Sequence, residues 1–144
     1  MVIPSGPLEA LTCVKGEGKL RGVVKFYPVP CGTLVVADIT GLPESVSGFF
    51  ALHIHEGQRC SGKDFADTGG HFNPTGNAHP RHAGDLPPLL SRNGRAFLAV
   101  ETDRFFVQEV IGHTVVVHEG FDDFQSQPAG NAGRKIGCGV IARR

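Results

Sequence analysis

The chain has 144 residues, with 14 basic and 14 acidic side chains, and is neutral when its seven histidines are uncharged. That length is near the modal size of one domain and can bury roughly two-thirds of the surface of the unfolded chain. With the charges balanced, no basic stripe in the sequence argues for a nucleic-acid or membrane-surface partner, and the longest apolar runs, such as Phe49 to Leu52 and Val115 to Val117, are far shorter than the ~20 residues that span a bilayer.

Met1 to Pro7 lacks both a basic segment and an apolar one, so no signal peptide is expected there. A cytoplasmic protein is the first expectation, and a secreted or periplasmic mature form is the alternative. Short segments rich in Val, Ile, Leu and Phe follow, punctuated by 20 glycines and 10 prolines with no long helical stripe between them, which is an all-β pattern. Strands are predicted over Leu11 to Val14, Val23 to Val29, Thr33 to Ile39 and Phe49 to His55, with tight turns at Gly16-Glu17-Gly18 and Cys31-Gly32. Val35, Ala37 and Ile39 share one face of the third.

After residue 55 the aliphatic residues nearly vanish. Glu56 to Pro88 is dominated by Gly, Pro, Asp, Asn and His, and a loop of that length in a compact domain must be disordered or tied down by something other than a core. Strands resume at Arg95 to Glu101, where Ala96, Leu98 and Val100 share a face, then at His113 to Glu119 and Ile136 to Ala142, with a second loop from Gly120 to Arg134. About eight strands imply a sandwich or flattened barrel.

Five histidines and an aspartate crowd into the 33 positions from His53 to Asp85. His53 and His55 end a strand, where the period of two puts both imidazoles on one face, and His118 ends another. Three histidines on rigid strands with more nitrogen donors nearby suit copper. His71, His79, His82 and Asp85 lie in the long loop, and three nitrogens with one carboxylate make the closed shell typical of structural zinc. Solvated loop histidines are the blander alternative, but four candidate ligands within fifteen positions make it a poor fit.

These segments resemble the copper/zinc superoxide dismutase family. His53-Ile54-His55-Glu56, Gly70-His71-Phe72-Asn73-Pro74, His82-Ala83-Gly84-Asp85-Leu86, Val116-Val117-His118-Glu119, Gly130-Asn131-Ala132-Gly133 and Cys138-Gly139-Val140-Ile141 follow the family's motifs in order, spanning roughly Cys13 to Ile141. The fold this implies is an eight-stranded Greek-key β-sandwich or flattened barrel, immunoglobulin-like, with a metal-binding loop and a second active-site loop. The resemblance implies copper on His53, His55, His71 and His118, and zinc on His71, His79, His82 and Asp85. His71 is then a bridging imidazolate, since two dications make loss of both ring protons possible near neutral pH.

The implied reaction converts superoxide to dioxygen and hydrogen peroxide, with copper cycling between Cu(II) and Cu(I) and His71 carrying the proton. By the same resemblance Asp122 connects a copper histidine to a zinc histidine, and Cys60 and Cys138 form a disulfide. Cys13 and Cys31 are read as free, buried, small apolar residues.

The family's anion-guiding arginine is replaced here. Counting from Gly130-Asn131-Ala132-Gly133 lands on Lys135, with Arg134 before it, so Lys135 is expected to lead and Arg134 to assist. A lysine attracts an anion without arginine's bidentate fork. The loop Gly120 to Gln127 carries no lysine, which predicts weak long-range steering. His79 and His82 are separated by two residues, a short zinc loop that closes if Pro80-Arg81 forms a turn. A metal-buffering or copper-delivery protein without turnover is the competing reading, disfavoured because delivery sites are usually thiolate-rich. A zinc peptidase is discounted, since neither His55-Glu56 nor His118-Glu119 continues to HExxH. Whether the chain pairs as a homodimer stays open, and His113 is read as a surface residue.

Overall fold

The structure is a computed structural model that describes residues 4–144. The first three residues of the Met1 to Pro7 stretch, and the expectation attached to them, lie outside the described residues. Among the described residues, ten strands, a 3-10 segment and one α-helical turn follow in order: β1 Ala10–Gly16, β2 Arg21–Val29, β3 Gly32–Thr40, β4 Phe49–Phe50, β5 Leu52–His55, the 3-10 segment Lys63–Thr68 within the long loop, β6 Leu89–Leu90, β7 Ala96–Thr102, α1 Val107–Val110, β8 Thr114–His118, β9 Lys135–Val140 and β10 Ala142–Arg143. No helix among the described residues is long and apolar enough to cross a membrane.

An antiparallel sheet runs in the order β5-β8-β9-β1-β2-β3-β7, with β10 added to β1, and β4 and β6 make a separate two-stranded piece. The chain leaves β3, next to one end of this path, for β5 at the other end, returns to β7 on the far side of β3, and crosses again to β8, so sequential strands are not simply neighbours and the connections are Greek-key in kind. The sheet curls around one apolar interior. Val35, Ala37 and Ile39 on β3 are fully buried, as are Val24 and Phe26 on β2, Ile54 on β5, and Val115 and Val117 on β8. On β7, Ala96 is buried while Leu98 and Val100 pack against the core from its margin.

Four local readings need correction. The expected strand Phe49 to His55 breaks at Ala51, where its N–H donates to the Gly120 carbonyl and its own carbonyl accepts from His118 N–H, so the chain exchanges β6 for β8 as partner. The last strand divides at Ile141, whose backbone bonds to His113 and Gly112 instead of β1. The first hairpin turn falls a residue later than expected, with Leu20 N–H donating to Glu17 O. Cys13 and Cys31 are free but exposed. Cys13 points outward between the inward residues Thr12 and Val14, and Cys31 sits at the tip of the β2-β3 turn with a φ of 64°. Small size and low polarity favour burial, but strand parity and turn position override them.

Candidate metal centre

The long loop is not structureless at its ligands. Ile54 lies in the core, and its backbone forms a short ladder with the loop: its N–H donates to Gly84 O at 2.9 Å, and its carbonyl accepts from Phe72 N–H at 2.8 Å. Gly84 N–H in turn donates to Phe72 O at 2.9 Å. Only glycine fits at position 84, since a Cβ there would lie 2.3 Å from Ile54 O. This pinning sets His55 opposite His71 and His53 opposite Asp85, so strand-borne and loop-borne ligands meet by backbone register.

The hydrogen bonds of the rings fix which nitrogens are available. His55 Nδ1–H donates to Gly69 O at 2.8 Å and His118 Nδ1–H to Gly133 O at 3.2 Å, which leaves Nε2 of each as a lone-pair donor. His53 Nε2–H donates to Asp122 Oδ2 at 2.8 Å, which leaves Nδ1 free. Those three lone-pair nitrogens converge: His55 Nε2 is 3.2 Å and His53 Nδ1 3.1 Å from His118 Nε2. Lone pairs facing one another in a buried site call for a cation, and His71 completes a set of four whose ligand atoms lie within 4.8 Å of one another.

His71, His79, His82 and Asp85 form a second such set. His71 Nδ1 is 2.7 Å from Asp85 Oδ1 and 3.1 Å from His82 Nδ1, while His79 Nδ1 is 3.0 Å from Asp85 Oδ2. His71 Nε2 and His79 Nδ1 are buried without a hydrogen-bond partner. An orphaned buried nitrogen is costly, and both fit if they are metal ligands, His71 offering one nitrogen to each set. The short loop closes as a turn over His79 and Pro80, with Arg81 N–H donating to Ala78 O at 2.8 Å, one residue earlier than expected.

Asp122 joins the two sets from behind. Its Oδ2 accepts from His53, and its Oδ1 from His79 Nε2–H and from Phe124 N–H, each at 2.8 Å. Burial alone would raise its pKa, but these donors hold the carboxyl well below the usual range. The imidazoles move the other way. Burial, then the charge of His53, takes His118 down to about 3, and burial also lowers His53, His55 and His82. Neutral imidazole is the form that binds metal, so the apolar surroundings keep the donor set ready.

A family model described as "Copper/zinc superoxide dismutase (SODC)" matches residues 20–141. The chain belongs to the copper/zinc superoxide dismutase family. It is 36% identical over 145 residues to a copper/zinc superoxide dismutase of Deinococcus radiodurans, covering 86% of this chain and 78% of that protein. It is 34% identical over 145 residues to copper/zinc superoxide dismutase 2 of Aquifex aeolicus, covering 89% and 82%. Over 148 residues it is also 35% identical to the copper chaperone for superoxide dismutase of Rattus norvegicus, covering 93% of this chain but 53% of that protein, about half its length. Copper and zinc are the cofactors of this family, and superoxide is the substrate it implies.

Around this dismutase centre, Cys60 and Cys138 are disulfide-bonded, tying the long loop to β9. Lys135, opposite His118 in the β8-β9 register, donates from Nζ to Thr68 Oγ1 at 2.7 Å and to Gly69 O at 2.9 Å, the carbonyl that also holds His55. Burial lowers its pKa. Arg134 faces elsewhere, paired with Glu17, with its Nε 3.5 Å from Glu119 and its Nη1 3.8 Å from Asp64. His113 is half-buried, not simply at the surface: its Nδ1–H donates to Glu56 O at 2.7 Å and its ring lies 4.7 Å from that of Phe72.

Two positioning residues went unforeseen. Gln127 brackets His79, accepting its N–H at 3.0 Å and donating to its carbonyl at 2.7 Å. Arg104 donates to Pro80 O at 2.8 Å and His82 O at 3.2 Å. No sequence signal marks either residue, because each acts on backbone from a distant segment.

Proposed function

We infer that this chain disproportionates superoxide, two superoxide anions and two protons giving one dioxygen and one hydrogen peroxide. The observation that carries the reading is the convergence of His53, His55 and His118 lone pairs on one point, with His71 contributing a nitrogen to each of two adjoining donor sets. Copper held by the first set supplies a one-electron redox couple, and zinc held by the second supplies a fixed positive charge beside it. The chain's own part is to hold His53, His55 and His118 neutral and oriented, and to leave His71 Nε2 unclaimed by any protein group, available to the first donor set and, when not so engaged, to a proton.

Lys135 is proposed as the anion guide. Its ammonium shares Gly69 O with His55, which supports attraction of superoxide at close range. Arg134, engaged by three carboxylates, is proposed as a weaker contributor than its neighbour. Homodimer formation is proposed through the two-stranded piece, where the cross-strand pair Phe49 and Leu90 is exposed, Leu90 at 58%. Sedimentation of wild type against Phe49→Glu tests it, a monomer in both cases rejecting the dimer.

Delivery without turnover draws on the chaperone relatives. The all-imidazole donor set, with no thiol among its members, weighs against it. Following superoxide decay on metal-loaded protein separates the two: many turnovers per copper support the dismutase, and consumption of about one equivalent supports delivery.

A further inference from the structure

The outer face of β1, β2, β3 and β7 carries a groove of about 590 Å³, away from the metal ligands. That volume lies within the range of small-molecule sites, roughly 300 to 1,000 Å³. Strand register gives it a banded chemistry. Cys13 pairs with Val23, Val23 with Asp38, and Asp38 with Phe97, so this row crosses all four strands. The row to one side begins with Lys15 directly opposite Arg21, and the row to the other side contains Lys25 opposite Val36.

Two features of these rows point to an anion. Asp38 is the acidic residue of the lining, and Arg95 neutralises it through Nε and Nη2 at 3.2 and 2.9 Å. Lys15, Arg21 and Lys25 form no ion pair among the described residues. In addition, Lys15 and Arg21 are like charges on directly opposed positions of neighbouring strands, an arrangement that destabilises a sheet unless something relieves it. Beside them runs an apolar strip of half-buried Val23 and Val36 and the ring of Phe97, which is 64% exposed.

We propose that this groove binds a small amphipathic organic anion, its carboxylate or sulfonate between Lys15 and Arg21 and its aliphatic or aromatic body along Val23, Val36 and Phe97. The charge complementarity selects an anion, and the apolar strip selects one with a hydrophobic body over inorganic phosphate. The groove is an open trough whose volume is that of a small molecule, which favours a free small molecule over the plane of a bilayer. Cys13 lies in its lining and Cys31 does not, so the two exposed thiols give a built-in reporter and control.

The probe is laurate below its micellar concentration, added to metal-loaded protein, with iodoacetamide alkylation of Cys13 and Cys31 followed by peptide mass spectrometry. Laurate is expected to slow alkylation of Cys13 by about fivefold or more, to leave Cys31 unchanged, and to lose about tenfold in affinity in Arg21→Glu. Because that substitution replaces a like-charge pair with an opposite one, the variant should fold, and Lys25→Glu serves as a second, independent charge reversal. Equal protection of both cysteines, equal protection by uncharged dodecanol, unchanged affinity in both variants, or protection by anionic vesicles but not by monomeric laurate would each overturn the proposal.

Discussion

Lys135 and His55 are held together by one atom, the carbonyl oxygen of Gly69, which accepts the lysine Nζ–H at 2.9 Å and the imidazole Nδ1–H at 2.8 Å. The candidate anion guide and a copper-set imidazole therefore share a support, and moving one disturbs the other. Lys135→Ala is expected to lower the superoxide rate about tenfold and to alter the copper electron paramagnetic resonance spectrum, because Gly69 O loses one of its two donors. Pulse radiolysis with an unchanged rate would reject the guiding role. Lys135 is partly buried and acts at contact, so the loss should be similar at low and high salt.

Asp122 is the hinge between the donor sets, and Gly130 packs against it. A Cβ at Gly130, whose φ is +71°, would lie 2.0 Å from Asp122 Oδ1 and 2.6 Å from His79 Nε2. Asp122→Ala removes the acceptor for two histidines, and Gly130→Ala displaces it. Each is expected to weaken zinc retention by roughly 10- to 100-fold, measured as residual zinc after dialysis against a graded chelator series. Wild-type retention in both variants would contradict this role.

Much of this centre was legible from strand parity and loop composition. His53 and His55 had to share a face because strands alternate, and the loop from Glu56 to Pro88 had to be tied down because it had almost nothing aliphatic to bury. The contribution of Ile54 was hidden in its backbone: its side chain reads as ordinary core, while its N–H and carbonyl dock the zinc segment. Arg104 and Gln127 were invisible for the same reason, since a side chain bound to distant backbone leaves no spacing pattern. The exposure of Cys13 was missed because residue type was weighed over the parity of its strand.

Cys60 and Cys138 close a separation of 78 residues. Constraining the unfolded chain to that extent stabilises the fold by roughly 2 to 4 kcal/mol. Metal-free protein reduced under denaturant, or a Cys60→Ser variant, should lose that amount in urea unfolding. A midpoint equal to that of the oxidised protein would show that the bridge contributes nothing to stability.

Acid should unfold the metal-free protein early. Burial depresses the pKa of His53, His55, His82 and His118, the last down to about 3, whereas unfolded histidines titrate near 6.5. The unfolded chain therefore takes up these protons first. Stability is complete above about pH 6.5 and is lost as the pH falls toward about 3. Urea midpoints at pH 7.5 and pH 5.5 check this, with a clear decrease expected at the lower pH. Equal midpoints would mean that these rings bind protons as readily when folded.

The most direct test of the central claim is pulse radiolysis on protein whose copper and zinc are quantified in the same sample. With about one copper and one zinc per chain, superoxide decay should be catalytic, proportional to the copper content, and abolished in His118→Ala. Full occupancy with decay no faster than in metal-free protein would contradict it.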